Sequence, residues 1–200
     1  WSQTADLKES NFEWDDWVGG SVAINGNYAI VGAVSEGSNS ISERTNNTVG
    51  RAGAAYIFER NGSGVWSQTA YLKASNIGVN DGFGGSVAIN GNYAIVGAID
   101  EDSNSITDPT NNISLNSGAA YIFERNGSGV WSQTAYLKAS NIDSVDWFGG
   151  SVAINGNYAI VGAISEDSNS ISYHTNNTDG SSGPPYIFQR THPTVKSQTA

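Results

Sequence analysis

The sequence predicts an all-β protein of propeller-type blades, each with four antiparallel strands, in three repeats of 65 residues. Three observations support this. A 16-residue block at 83–98 recurs at 18–33 and 148–163, and Val18 in place of Phe is the only change. Within each block Asn-Gly separates two β-prone runs, which is a strong hairpin signal. No stretch shows helical periodicity with capping residues, and four strands per repeat is typical of a propeller blade.

The turn signals of the second repeat, which serves as the example, define where its four strands begin and end. The first strand begins after the glycine pair Gly84-Gly85, which indicates a sharp bend or a close backbone approach. The Asn90-Gly91-Asn92 turn joins it to the second strand. A long polar loop leads to the third strand, and the glycine-rich turn 126–129 leads to the fourth. The predicted strands are 86–89, 93–98, 119–124 and 130–138. The first of them is expected to lie nearest the propeller axis.

Applied to the whole chain, this frame predicts one short leading part and three blades. The four parts are 1–17, 18–82, 83–147 and 148–200. The leading part holds an outer strand at 1–8 and a rim loop. The outer strand of the third blade is predicted to be short, at 196–200, because Lys196 replaces the Trp that begins it elsewhere.

Composition and charge exclude several classes of protein. A formal net charge of −10 at pH 7 opposes binding to nucleic acid or to an anionic membrane surface. No apolar run approaches the roughly 18 residues of a spanning helix, so no membrane insertion is expected. The chain has no cysteine, which excludes disulfides and thiolate metal sites.

Five N-x-S/T sequons are candidate glycosylation sites if the host secretes through a eukaryotic pathway. They lie at Asn46, Asn61, Asn112, Asn126 and Asn177. A chain this rich in Asn, Ser and Thr also produces several sequons by chance.

Three short motifs, in register over the whole chain, resemble the FG-GAP repeat. They are Phe-Gly at 83–84 and 148–149, Gly-Ala at 32–33, 97–98 and 162–163, and Gly-Ala-Ala-Tyr-Ile-Phe after the long loop. The Pro of the GAP element is replaced by Val34, Ile99 and Ile164. The resemblance implies the β-propeller of integrin α chains and many bacterial surface proteins. An extracellular or cell-surface location and a role in adhesion are therefore expected.

The chain departs from the integrin-type repeat at the first hairpin. Integrin-type repeats carry an acidic calcium loop there, whereas this chain has only Asn25-Gly26-Asn27 and its copies. The resemblance is therefore to a short-hairpin variety without that loop, and no cofactor is expected. A second place for calcium is the long loop, where Asp100, Asp102 and Asn104 have the alternating oxygen spacing of calcium loops. The alternative is a solvated acidic loop that keeps the surface soluble.

Tryptophans in the loops before two glycine pairs form a candidate ligand site. Trp14 and Trp17 precede the first blade and Trp147 precedes the third, with Asp16 and Asp146 beside them. An exposed indole can stack on the apolar face of a sugar while a carboxylate accepts its hydroxyl protons. The alternative is that these rings pack between blades or against a neighbouring subunit.

No catalytic constellation is evident, so the sequence predicts a protein that is not an enzyme. His174 and His192 are the only histidines, and neither has a counterpart in another repeat. No nucleophile motif frames any serine.

Three blades cannot close a propeller of ordinary width, since closed propellers have roughly four to eight. Each blade needs neighbours to cover its faces, and the terminal repeats keep the apolar pattern of the middle one. We therefore expect closure only by oligomerisation or within a longer array. Two half-rings, a longer chain, or a polymer in which residues 1–8 complete another subunit's third blade all satisfy this. The sequence thus favours a structural or adhesion protein whose partners are copies of itself or extracellular proteins. A lectin that binds glycans through the rim loops is the alternative.

Overall fold

The computed structural model describes residues 1–11, 13–167 and 183–191. Within these ranges the chain forms eleven β-strands and no helix. The strands are β1 (Val18–Asn25), β2 (Tyr28–Ala33), β3 (Ala54–Arg60), β4 (Trp66–Leu72), β5 (Phe83–Asn90), β6 (Tyr93–Ala98), β7 (Ala119–Arg125), β8 (Trp131–Leu137), β9 (Phe148–Asn155), β10 (Tyr158–Ala163) and β11 (Tyr186–Gln189).

The strands form three separate antiparallel sheets, one per repeat, which confirms the predicted all-β blades. The order is β1-β2-β3-β4 in the first sheet, β5-β6-β7-β8 in the second and β9-β10-β11 among the described strands of the third. Among the residues that the structure describes, the sheets do not close into a ring. Asn90 pairs with Tyr93 across the predicted Asn-Gly hairpin. The first strand of each blade begins earlier than expected, because a bulge between Phe83 and Ser86 carries it through the glycine pair.

The two predicted outer strands at the chain ends have different outcomes. Residues 1–8 are not in a strand in the structure, so that prediction is wrong for this conformation. In a complete blade the outer strand pairs with the third strand of the same blade. Among the described residues, no blade precedes the first one, so residues 1–8 have no such strand beside them, and a strand needs a partner for its backbone groups. The predicted strand at 196–200 lies outside the described residues.

Neighbouring blades pack face to face through apolar side chains. We call the side of a blade that faces the preceding blade its front, and the other side its back. The back of the first blade, with Ile30 and Ile57, packs against the front of the second, with Val87, Ile89 and Val96. The next junction repeats this arrangement, with Ile95 and Ile122 of the second blade packed against the front of the third.

A serine hydroxyl and two glycines bring the blade backbones into direct contact at each junction. Ser21 Oγ donates to the carbonyl of Gly84 at 2.6 Å, and Ser86 Oγ donates to the carbonyl of Gly149 at 2.6 Å. A Cβ atom on Gly32 would collide with the carbonyl of Gly84, so the first blade needs glycine there. The spacing between blades is therefore fixed by the backbone as well as by side-chain packing.

Candidate functional site

The front of the first blade is an open apolar surface. Val22 and Ile24 are 66% and 68% exposed, whereas their counterparts Val87 and Ile89 are 9% and 6% exposed because the first blade covers them. The residues are chemically the same at both places, so the difference comes only from the presence of a preceding blade. We call the patch around Val22 and Ile24 the open front.

The back of the third blade is open in the complementary way. Ile187 is 70% exposed and Ile160 is 38% exposed, while their counterparts Ile57 and Ile30 in the first blade are completely buried. Tyr158 in the same strand as Ile160 is also exposed. We call the patch formed by Ile160, Ile187 and Tyr158 the open back.

Polar contacts surround the apolar centre of each internal junction. The Arg125 guanidinium lies over the Tyr28 ring, 5.4 Å from its centroid, and Arg190 lies over the Tyr93 ring at 4.5 Å. The side-chain oxygen of Asn25 accepts the backbone N–H of Gly91 at 3.1 Å. The same kinds of contact therefore recur from one junction to the next.

A second recurring feature is a buried ion pair with its own hydrogen bonds. Lys73 Nζ donates to Glu36 Oε2 at 2.8 Å in the first blade, and Lys138 Nζ donates to Glu101 Oε2 at 2.8 Å in the second. These four side chains are almost completely buried. Burial lowers the pKa of both lysines below the ordinary value, and the facing carboxylate opposes that shift.

Asparagine and tyrosine side chains complete this network, which we call the Glu–Lys–Asn cluster. In the second blade, Asn76 Nδ2 donates to Glu101 Oε1 at 2.8 Å and the Tyr136 hydroxyl donates to the same oxygen at 2.9 Å. The Tyr121 hydroxyl donates to Asn76 Oδ1 at 2.9 Å. In the first blade the corresponding residues are Asn11, Glu36, Tyr56, Tyr71 and Lys73.

A family model, described as the FG-GAP repeat, matches the chain three times, over residues 1–58, 66–123 and 131–188. The chain belongs to the FG-GAP repeat family. Each match begins at a segment that starts with Trp and ends in the third strand of a blade. The second and third matches therefore begin with the outer strand of the preceding blade, β4 or β8. A comparison with curated proteins gave no match.

The family gives a coarse functional class. FG-GAP repeats are typical of surface and adhesion proteins and are generally not enzymatic. None of the described residues forms a helix long and apolar enough to span a membrane. His174 and His192 lie outside the described residues.

The rim loops do not form the exposed Trp–Asp platform that the sequence suggested. Trp14 and Trp17 are 90% and 67% exposed, and Trp147 is half-buried. Asp16 and Asp146, however, are buried. Asp146 Oδ2 accepts the backbone N–H of Asp143 at 3.0 Å, so it closes its own loop and is not presented to a ligand. Alternation of Trp and Asp could not reveal this, because the loop turns its carboxylate inward.

The same loops hold non-glycine residues with positive φ. Trp17 and Trp147 have φ of 53° and 55°, and Val145 has φ of 70°. The equivalent positions in the second repeat are Asn80 and Gly82, which tolerate this region far better than a β-branched or bulky residue. The second FG-GAP repeat therefore has the relaxed version of a loop that is strained in the third.

We expect Val145→Asn to stabilise the protein. The change copies the residue of the second repeat and removes about 1 kcal/mol of backbone strain. Urea denaturation should show a higher midpoint with an unchanged slope. The matched control is Asn80→Val, which should lower the midpoint by a similar amount. Equal midpoints for the wild type and both variants would contradict the strain assigned to this φ.

Each rim loop buries one aspartate whose pKa is raised. Burial is the main cause in all three, and it raises the pKa of Asp81 to about 7 and the pKa of Asp16 and Asp146 to about 6, from 3.8. The negative charge of Glu101 raises the pKa of Asp81 further. The hydrogen bond that Asp81 accepts from the backbone N–H of Gly78, at 2.8 Å, and the positive charge of Lys138 both lower that pKa.

We expect stability to fall as pH rises from about 4 to about 7. The folded pKa of Asp81 exceeds its unfolded value, so the folded state holds the proton more tightly and loses that advantage as the pH passes the folded pKa. Asp81→Asn should flatten the dependence of melting temperature on pH between about 4 and about 7, because Asn stays neutral and still accepts from Gly78. Asp108→Asn, on an exposed loop, is the control and should leave the dependence unchanged. An unaltered profile in Asp81→Asn would contradict the assignment.

The candidate calcium residues in the long loop bind other protein groups. Asp100 lies 3.7 Å from the Arg51 guanidinium, Asp102 Oδ1 accepts the backbone N–H of Asn116 at 2.7 Å, and Asn104 Oδ1 accepts from the Asn111 amide at 2.9 Å. Within 1–11, 13–167 and 183–191, no group of three or more His, Cys, Asp or Glu side chains converges as a metal site would require.

The sequons differ in how accessible their amides are. Asn46 exchanges two hydrogen bonds with Asn39. Asn61 and Asn126 use their side-chain oxygens to hold glycine-rich turns, and both lie on the surface, as does Asn112. Asn177 lies outside the described residues.

The sequence reasoning missed the Glu–Lys–Asn cluster. The sequence did contain an indication of this cluster, since its charged residues recur with the period of the repeat. Lys73 and Lys138 stand at equivalent positions of their repeats, as do Glu36 and Glu101. A lysine at the end of a strand is usually solvated, so local pattern alone did not indicate burial.

Proposed function

We propose that this FG-GAP protein is a structural or adhesion component that assembles head to tail, with the open front of one copy on the open back of another. The observation that supports this most strongly is that these two surfaces are chemically equivalent to a pair that already packs twice within the chain. Their side chains are apolar and exposed, and water-exposed Ile and Val patches are typical of interaction sites. Membership of a family that is typical of surface proteins supports an extracellular or surface setting.

The internal junctions supply the geometry of the proposed contact. If a second copy sits on the third blade as the second blade sits on the first, Val22 and Ile24 of the incoming copy cover Ile160 and Ile187. Arg60 then lies over the Tyr158 ring, as Arg125 lies over Tyr28. Ser151 Oγ donates to the carbonyl of Gly19, as Ser21 donates to Gly84. Apolar, cation–π and hydrogen-bond contacts are therefore all satisfied by one placement.

The same placement brings residues 1–8 of the incoming copy beside β11 of the first. Their sequence is that of residues 66–73, which form β4 and its end, with Asp6 in place of Tyr71 as the only difference. The backbone groups of β11 would gain a fourth strand, which is strand addition at a sheet edge. The assembly thus supplies the partner that residues 1–8 need to become a strand.

The size of the protein in solution tests this proposal. Light scattering after size-exclusion chromatography should give a mass above the 21.0 kDa of one chain, and negative-stain microscopy should show rings or filaments. Two copies give six blades, within the roughly four to eight of closed propellers. A monodisperse species of 21.0 kDa at high protein concentration would overturn the proposal.

Glycan binding is a second candidate, supported only by the exposure of Trp14 and Trp17. Because their neighbouring carboxylate is buried, recognition would depend on stacking of the indole on a sugar face. A glycan array should then give signals that Trp14→Ala and Trp17→Ala each weaken. An array without signal for the wild type would remove this candidate and leave the assembly proposal intact.

A further inference from the structure

A single carboxyl group bridges an amine and an amide in each Glu–Lys–Asn cluster. In the second blade Lys138 Nζ lies 2.8 Å from one oxygen of Glu101, and Asn76 Nδ2 lies 2.8 Å from the other. Lys138 and Glu101 are almost completely buried, so bulk water does not reach the carboxyl group. A primary amine and a carboxamide are thus held against the same buried proton carrier.

The carbonyl of that amide is also hydrogen-bonded. The Tyr121 hydroxyl donates to Asn76 Oδ1 at 2.9 Å, and Asn76 Nδ2 donates to the Pro109 carbonyl at 2.8 Å. The tyrosine therefore points at the oxygen that would become negative if a nucleophile added to Asn76 Cγ. A nucleophile, a base beside it and an oxyanion donor are the parts of an acyl-transfer site.

We propose that Lys138 and Asn76 join through a side-chain amide bond, promoted by Glu101, and that Lys73 and Asn11 join in the same way beside Glu36. The first blade has the same contacts. Lys73 Nζ lies 2.8 Å from Glu36 Oε2, Asn11 Nδ2 lies 3.4 Å from Glu36 Oε1, and the Tyr56 hydroxyl donates to Asn11 Oδ1 at 2.9 Å.

The reaction needs no oxidant and no external group. Glu101 takes one proton from the Lys138 ammonium, and the burial that lowers the lysine pKa favours the neutral amine. Nζ then forms a bond to Asn76 Cγ, and negative charge develops on Oδ1 against the Tyr121 hydroxyl. Protons pass from Nζ through Glu101 to Nδ2, and the Cγ–Nδ2 bond breaks. One ammonium ion leaves, the carboxylate is restored, and atoms and charge balance. The step occurs once per cluster and does not turn over.

The bond would close each blade into a covalent loop. Asn76 lies in the linker that enters the second blade, and Lys138 follows the last residue of β8, so the loop spans β5 to β8. Asn11 and Lys73 span β1 to β4 in the same manner. The outermost strand, which has a neighbour on one side only, would be held to the chain that precedes its blade. In a chain without cysteine this bond takes the place of a disulfide.

The intact mass of the purified chain tests the proposal. Mass spectrometry should give a mass lower than that of the sequence by two molecules of ammonia, and digestion should yield branched peptides that join Lys138 to Asn76 and Lys73 to Asn11. A mass equal to that of the sequence would overturn the proposal. So would ammonia loss confined to Asn-Gly dipeptides, where succinimide formation releases the same mass. The bonds lie within one chain, so the result does not depend on whether copies assemble.

Variants of one cluster use the other cluster as an internal control. Lys138→Arg keeps a buried cation but removes the amine, and Glu101→Gln removes the base, so either should reduce the loss from two ammonia molecules to one. Tyr121→Phe should slow formation of the second bond and leave the first unchanged. Retention of the first-blade bond shows that the variant chain has folded there. Loss of two ammonia molecules in Glu101→Gln would contradict the role assigned to Glu101.

Discussion

Replacement of Glu101 by Gln is expected to lower the free energy of unfolding by about 3–5 kcal/mol, because it leaves the Lys138 ammonium buried without its counter-charge. Glu101 and Lys138 are almost fully buried and 2.8 Å apart, so neither water nor another carboxylate can replace the lost partner cheaply. Loss of the proposed amide bond would act in the same direction. Urea denaturation followed by tryptophan fluorescence measures the change.

The double variant Glu101→Gln with Lys138→Met separates the cost of an unpaired charge from the cost of a changed shape. With both charges removed, the stability lost to the unpaired ammonium should return, because an apolar side chain of similar length fills the space of the lysine. Any contribution of the amide bond stays lost, since methionine has no amine. Glu43→Gln, on the exposed part of the loop, should change stability by less than about 0.5 kcal/mol. If the double variant is less stable than Glu101→Gln alone, the unpaired lysine is not the cause.

Ile24→Glu and Ile187→Glu are each expected to abolish assembly while the single chain stays folded. Both side chains are mostly exposed in one chain, so the substitutions cost little there. In the head-to-tail contact each would bury a carboxylate in place of an isoleucine that contributes about 1.5–3 kcal/mol. Association should weaken by at least about 100-fold, measured by light scattering over a range of concentrations.

Mixing the two variants tests the polarity of the contact. Ile24→Glu leaves the open back intact, and Ile187→Glu leaves the open front intact, so an equal mixture should form a dimer with one good junction although neither variant assembles alone. Val65→Glu is the matched control, because its counterpart Val130 stays exposed even though its blade has a neighbour on both sides. Assembly of either variant alone, or a mixture that stays monomeric, would contradict the head-to-tail arrangement.

Local sequence was sufficient to predict the hairpins, but it was insufficient to predict the packing between neighbouring blades. The Asn-Gly turn fixed the second strand at the residues observed, Tyr93–Ala98, because turn chemistry and β propensity agree there. The first strand was predicted too short, since the glycine pair 84–85 was expected to precede it, whereas a bulge allows the strand to begin at Phe83 and pass through both glycines. Which face of a strand is covered depends on the next blade, and no single repeat contains that information.

The rim aspartates and the buried lysines are both charged residues at positions where solvation is the ordinary expectation. Hydrogen-bond partners make their burial tolerable: Asp16 accepts from the backbone of Glu13 in its own loop, whereas Lys73 depends on a partner in a distant part of the chain. Glu36, the partner of Lys73, is 37 residues away along the chain. The repetition of these residues at fixed intervals marked them as part of the scaffold, but not as an internal cluster.

The equivalence of the blade junctions has a consequence for the number of blades. Because each blade meets the next through the same serine, glycines and isoleucines, removing or adding one whole period between matching positions creates no new kind of contact. A chain that gains or loses one such period keeps the same contacts at every joint. The number of blades can therefore change without compensating substitutions at the junctions, and only the curvature accumulated per blade limits which numbers close into a ring.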